Sequence, residues 1–509
     1  MKRSRTVRLP AEARDALVRV AGLKHPSPVY LVGGAIRDAA LGRPVADLDL
    51  ACVGARSLAA AVARSFKGTL VTLDADNAVY RLVLPPARGR GLKQIDVAEI
   101  QGRDILEDLR RRDFTLNAAA LELSAGLKTA LPESAFLDPR GGFADLARGV
   151  LRVEDNKPFK EDPLRLLRAF RIAAQLGLEI EPATLDLIRK HRRLVREPAG
   201  ERVQSELLAL LAVPGASARL VEMDKCGLLT ALFEDLEPAR RCAEDYYGPG
   251  GVMKHSLDVC SRTDLLLANF RKIYPDLGRA FEEHLAARSS GGIPERAVLM
   301  LAALLHDVSK PETARTIDGR LRFFEHDVKG AERAANILRT LRFSREHVDT
   351  VADIVRHHLR PGHLAAGPGP VTDKAVYRFF RDLGPRAPSL LVVCWGDHAS
   401  YMTEARLARF LKTACATPPR AGSLARIRPE DARKTVRHLQ LVSLLLRRYF
   451  DQDRAPVPVR LLDGGEIMKA LKLPPGPKIG DILERLREAQ AEGKVADRAQ
   501  ALAFVARLK

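Results

Sequence analysis

The apolar pattern changes rhythm once along this chain. Between residues 29 and about 147, short runs rich in Val, Ile, Leu and Tyr end in turn residues. Beyond about residue 149, leucines and alanines recur three and four positions apart. Short β-branched runs bounded by turns predict strands, and the longer spacing predicts amphipathic helices. Strands are expected at 29–32, 48–53, 70–73, 80–84 and 94–98. A loop is expected at PPARGRGLK (85–93). DPLRLLRAFRIAAQLG (162–177) predicts a helix with Pro163 in its first turn and Gly177 as its stop. Turn-rich DYYGPGG (245–251) and ATPPRAGS (416–423) mark further boundaries, and no repeat of fixed period is present. The pattern predicts a mixed α/β head followed by two or three helical modules.

A length of 509 residues exceeds one ordinary core and suggests three or four domains of roughly 150 residues each. The 46% hydrophobic and 29% charged content is that of a folded, soluble chain. No apolar run reaches the ~18 residues of a membrane span. The basic start MKRSRTVRLP lacks the apolar core of a secretory signal. Six scattered cysteines without a Cys-x-x-Cys pair read as reduced thiols in the cytoplasm. A net charge of +19 points to a polyanionic partner, although charge alone does not choose between DNA, RNA and a solvated surface.

Candidate chemistry concentrates in the head. In a strand, Asp47 and Asp49 share one face, about 7 Å apart, and Leu48 and Leu50 share the other. Such a pair suits hard divalent cations. Upstream, Gly33 and Gly34 end a strand and open a helix carrying Arg37 and Asp38, where backbone amides can approach phosphate oxygens. Downstream, LEDLRRRDFTLNAAALEL carries Arg112 and Asp113, and FKEDPLRLLRAF carries Glu161, Asp162 and Arg165 at an expected helix start. Helix capping explains those acids simply. An acceptor and a guanidinium on one turn would also hydrogen-bond a base edge.

These pieces resemble the bacterial tRNA nucleotidyltransferase and poly(A) polymerase family, within the DNA polymerase β superfamily. LVGGAIRD, DLDL, RRDFTLNA, EDPLRLLRAFR and ERVQSELLALL follow one another in the family's order over about residues 29–240. The resemblance implies that Asp47 and Asp49 bind two Mg²⁺ ions. One would activate an RNA 3′-hydroxyl and the other would hold the triphosphate and its leaving pyrophosphate. It implies that Gly33, Gly34 and Arg37 contact the triphosphate, and Arg112 and Asp113 the sugar. Asp162 and Arg165 would read the Watson–Crick edge of C or A, with Glu161, Glu201 and Arg202 supporting their helix. Asp96 is a candidate third carboxylate, or a plain strand acid. The implied reaction is template-independent addition of CCA to tRNA 3′ ends from CTP and ATP. Only 97–110 separates Asp96 from Arg111. In the family a short connection there accompanies addition of CC alone. A poly(A) polymerase and an A-adding enzyme stand as alternatives.

Further on, ERAVLMLAALLHDVSKPET runs an apolar helix into His306 and Asp307, with His255 before it and His326, His358 and Asp397 after it. The order resembles the HD phosphohydrolase domain over about 245–415. It implies a divalent metal of unknown identity on His255, His306, Asp307 and Asp397. His326 and His358 would complete a two-metal site, and Lys310 would neutralise phosphate. Relatives of this kind hydrolyse phosphomonoesters or 2′,3′-cyclic phosphates, so a further alternative is an RNA-end phosphohydrolase whose head only binds RNA. The basic helical end resembles a tail that grips tRNA by shape and phosphate contacts. The expected architecture is an α/β nucleotidyltransferase head (1–147), then an all-α neck (148–240), HD domain (241–415) and tail (416–509).

Overall fold

The computed structural model describes residues 6–85, 91–289, 292–366, 371–416, 424, 427–428, 430–451 and 455–508. The middle of the expected 85–93 loop and most of the expected 416–423 boundary lie outside the described residues. The chain forms two compact units, 1–198 and 199–509.

The first unit is built on a sheet of six strands: β1 (Val29–Val32), β2 (Asp47–Cys52), β3 (Thr69–Asp74), β4 (Val79–Val83), β5 (Gln94–Glu99) and β6 (Ala120–Glu122). Their order across the sheet is β3-β4-β5-β2-β1-β6. The β2–β5 pair is parallel, and the other pairs are antiparallel. Strand alternation does the sorting. Leu48, Leu50, Leu82, Ile95 and Val97 are buried, and the helix Ala55–Phe66 packs on β3, β4 and β5. Asp47, Asp49 and Asp96 alternate with them and take the opposite face.

The helix Arg165–Leu176 closes this unit's site from one side. It buries Leu166, Leu167, Ala169, Phe170, Ile172 and Ala173. It stops at Gly177, whose φ of +67° lets its amide turn back to the Ala173 and Ala174 carbonyls. Two details differ from expectation. Pro163 precedes this helix instead of lying in its first turn, and Glu161 ends a separate short helix, Lys157–Glu161. Asp162 caps the end of that short helix, because the residue before a proline is pushed out of helical conformation.

The second unit is mainly helical. The apolar helix Glu295–Leu305 is buried along its whole length and packs against Gly251–Ile273, Arg345–His357 and Ala387–Ser400. One hairpin interrupts the helices: Ala314–Ile317 pairs with Arg320–Phe323. Asp318 and Gly319 turn it with φ of +49° and +69°, as an Asp-Gly two-residue turn demands. The C-terminal helices Gly464–Leu471, Pro477–Ala491 and Arg498–Ala506 have their own apolar core around Leu462, Ile467, Ile482, Leu486 and Val505. Two arginines of the basic tail helix are held in ion pairs, Arg447 to Asp276 and Arg448 to Asp373. No helix among the described residues is long and apolar enough to cross a membrane.

Candidate active site and a histidine–aspartate centre

Strand register brings the head's acids together. Asp49 stands opposite Val32 on one side and opposite Asp96 on the other. Gly33, immediately after Val32, has φ +74° and leads into the helix Gly34–Ala40. A Cβ on Gly33 would come to 3.3 Å from Asp49 Oδ2 and 3.2 Å from Arg112 Nη1. The glycine thus lets backbone, carboxylate and guanidinium meet at one point.

A cavity of about 420 Å³ opens there. Gly33, Gly34, Arg37, Asp49, Asp96, Arg112, Asp113 and Arg165 line it, as do Asn117, Arg168 and Arg171. Arg37 donates Nη1 to Asn117 Oδ1 at 2.7 Å and its other nitrogens to Asp38. Arg112 is fixed by Asp108 at 3.1 Å. Asp113 accepts from Asn117 Nδ2 at 2.9 Å and from the Phe114 amide, and lies 3.5 Å from Arg168. Burial alone would raise the Asp113 carboxyl, but Arg168 and these donors hold it below the usual range. It is therefore a fixed anion facing the cavity. Asp49 differs: burial pushes its carboxyl up to about 6, Asp96 and Asp47 add to the rise, and Arg112 opposes it. A charged carboxylate there lacks compensation, which fits a hard divalent cation as its missing partner.

Not every expected residue lines the cavity. Asp47 shares the Asp49 face but is exposed outside it. Asp162 also lies outside the lining, with Oδ1 accepting from the Leu164 amide at 3.3 Å. Asp96 is clamped by Arg81 through two hydrogen bonds of 2.9 and 2.7 Å. Arg168 and Arg171 were not singled out in the sequence. They follow Arg165 at three and six positions, so helical spacing alone puts all three on one face.

The second unit gathers its own cluster. His255 Nε2 lies 3.4 Å from Asp307 Oδ2 and 3.2 Å from Asp397 Oδ1. His306 Nε2 lies 3.1 Å from Asp307. His326 and His358 approach the other Asp307 oxygen at 3.5 and 3.7 Å. Two ligand-type triads therefore share Asp307: His255–His306–Asp307 and Asp307–His326–His358. The Nδ1 atoms of His306, His326 and His358 face the Ala303, Phe323 and Val355 carbonyls at 2.9, 2.6 and 2.6 Å. Carbonyls accept only, so these Nδ1 atoms carry hydrogen and the Nε2 lone pairs point inward. Nε2 of His255, His306 and His326, and Oδ1 of Asp307 and Asp397, are buried without a hydrogen-bond partner. Acceptors crowded on acceptors fit a metal cation. Lys310 donates to Asp307 Oδ2 at 2.5 Å and to the Tyr247 hydroxyl at 2.8 Å. The Tyr247 ring stacks on His255 with centroids 4.6 Å apart.

Comparison with known proteins identifies the domains that carry the two centres. Residues 29–152 match the poly A polymerase head domain, 177–240 the probable RNA and SrmB-binding site of polymerase A, and 270–412 the HD domain. The chain is 31% identical to the A-adding tRNA nucleotidyltransferase of Deinococcus radiodurans, over 95% of this chain and 96% of the relative. It is 33% identical to the CC-adding tRNA nucleotidyltransferase of Thermus thermophilus, over 94% and 93%. Among solved structures, a CCA-adding enzyme in an apo form shares the fold with a TM-score of 0.62 at 19% identity, over 97% of this chain and 93% of that one. The Thermotoga maritima CCA-adding enzyme complexed with tRNA gives 0.61 at 20% identity, over 97% and 94%. Head, RNA-binding segment and HD domain follow one another along this chain, which aligns with these relatives over nearly their full length, and the chain belongs to the tRNA nucleotidyltransferase family of enzymes.

Proposed function

We propose that this enzyme adds CC to the 3′ ends of tRNA from CTP without a nucleic-acid template. The observation that carries the reading is the head cavity. Glycine backbone, five arginines and a fixed Asp113 anion surround a space of nucleotide size. Gly33, Gly34 and Arg37 would cradle the triphosphate, and Arg112 with Asp113 would hold the sugar. Arg165 would present the base-reading donors, Asp162, which lies outside the cavity lining, would supply the acceptor on turning inward, and Arg168 and Arg171 extend that guanidinium row. Asp47 and Asp49 would hold Mg²⁺, which when bound supplies charge neutralisation for the attacking oxygen and the leaving pyrophosphate.

Restriction to CC is supported by the connection after β5. It is short and internally bonded: the Asp104 side chain caps the helix Ile105–Arg111 by accepting from the Glu107 amide, and the Gln101 amide donates to Asp108. Relatives named CC-adding match this chain at 28–33% identity. A-addition is the second reading, favoured by the Deinococcus radiodurans relative. Extension of tRNA lacking its CCA end, with CTP, ATP or both, separates them. Growth by two nucleotides that stops in the presence of both triphosphates supports CC addition. A third nucleotide means full CCA addition. Extension only of tRNA already ending in CC, with ATP, means A addition, and long A tails mean a poly(A) polymerase.

The histidine–aspartate cluster favours a second activity, metal-dependent hydrolysis of phosphate esters on RNA ends. Absence of turnover of 2′,3′-cyclic nucleotide with any divalent metal refutes it.

A further inference from the structure

The head carboxylates divide the open face of the sheet in two. Across the strands, Asp49, Asp96, Arg81 and Val71 stand opposite one another, and Asp47, Gln94, Val83 and Thr69 form the next row. Rows two residues apart lie about 7 Å from each other, so the two form one continuous patch. The nucleotide cavity takes the opposite half: it touches Asp49 and Asp96 and continues over Ala98 and Val79, and does not reach Asp47, Gln94, Val83, Arg81 or Val71. The remaining half is open. Val71 is 42% exposed and Val83 45%. Its one acid beyond the catalytic pair, Asp96, is neutralised by Arg81, whose Nη1 has no partner among the described residues.

We propose that this half of the face, Val71, Val83 and Arg81 beside Asp47, is the platform on which the 3′-terminal nucleotides of the acceptor RNA lie. The proposal rests on the nucleotidyltransferase reading above and adds residues to it. Phosphoryl transfer is in line: the attacking oxygen enters opposite the leaving group. With the triphosphate on the Asp49 side, the acceptor hydroxyl arrives from the Asp47 side, where this patch lies. The chemistry of the patch fits. Apolar side chains remove ribose and base surface from water. Arg81, whose charge is shared with Asp96, Asp47 and Asp49, is the guanidinium that a backbone phosphate on this patch would meet. A protein covering Val71 and Val83 would abut the reacting carboxylates, so the substrate strand is the occupant compatible with turnover.

The test is a Val71→Glu/Val83→Glu double variant of the full chain, with Val53→Glu as control; Val53 is 54% exposed just beyond the far end of β2. The expected result is a KM for tRNA raised about tenfold or more by charge repulsion, with CTP affinity by equilibrium dialysis and melting temperature unchanged. A tRNA carrying a photoactivatable thiouridine at its 3′ end should crosslink within residues 69–83. An unchanged tRNA KM in the double variant, an equal rise in the control, or crosslinking confined to other segments overturns the platform. A wild-type chain that extends no tRNA overturns the functional reading itself, whereas normal extension by wild type and double variant alike overturns the platform alone.

Discussion

Gly33→Ala separates backbone strain from active-site geometry in one substitution. Gly33 sits at φ +74°, ψ −140°, a region that a residue with a Cβ occupies at a cost of about 1–3 kcal/mol. The new methyl would stand 3.2 Å from Arg112 Nη1 and 3.3 Å from Asp49 Oδ2. Both are ends of side chains and can retreat by a few tenths of an ångström, so the steric part is smaller than the backbone part. For a unit of this size each kcal/mol lowers the midpoint by about 2–4 °C, giving a fall of about 2–12 °C in the first unit's transition. Activity should fall further than stability, because misplacing a reacting group by about 1 Å costs as much as 10²-fold; a loss of about tenfold or more in kcat for C addition is expected. Calorimetry and single-turnover extension read the two effects. Gly34→Ala is the comparison: its Cβ meets only the Arg37 side chain, at 3.2 Å, so it should raise the KM for CTP without lowering the midpoint. A Gly33→Ala protein with unchanged midpoint and unchanged kcat refutes the account.

Other expectations follow from single sites. Asp49 binds its proton more tightly folded than unfolded, its carboxyl being raised to about 6 from 3.8. The metal-free protein should therefore lose stability as pH rises between those values. Because a cation competes with that proton, activity should fall below about pH 6, and more Mg²⁺ should move the acid limb lower; a limb insensitive to Mg²⁺ contradicts this. Arg165→Ala should blur the choice between C and A, measured as the ratio of kcat/KM values, before it weakens metal binding; unchanged selectivity rules out base reading by Arg165. Trp395, the single tryptophan, is buried two residues before Asp397. Mn²⁺ or Co²⁺ entering the histidine–aspartate cluster should change its fluorescence and, at about 100 times Kd, add about 2.7 kcal/mol of stability. His306→Ala should abolish both responses, and retention of either would place the metal elsewhere.

Much of the head was legible because its chemistry obeys strand arithmetic. Asp47 and Asp49 alternate with Leu48 and Leu50, so one look at the pattern separates site from core. The cluster around Asp307 was legible for a different reason: the order of His255, His306–Asp307, His326, His358 and Asp397 resembles the HD domain, whereas a single histidine after an apolar helix is more often simply packed. What escaped the sequence depended on partners distant along the chain. Nothing near Asp96 announces that Arg81, on the neighbouring strand, holds it at 2.7 Å. Arg168 and Arg171 look like an ordinary charged helix face until the cavity opens beside them. The hairpin around Asp318 and Gly319 is carried by a two-residue signal inside an otherwise helical stretch, where the longer pattern dominates the reading.

The contact between Tyr247 and the histidine–aspartate centre bears on time as well as on structure. The ring lies over His255 and the hydroxyl takes a hydrogen from Lys310. The segment carrying it is pinned at its base, where the Val252 amide donates to the Cys242 carbonyl at 3.0 Å. A phosphate bound by Lys310 would have to take the place of that hydroxyl, and the ring resting on His255 would shift with it. If that shift opens the centre, loading would level off at high ligand concentration, at a ceiling set by the protein.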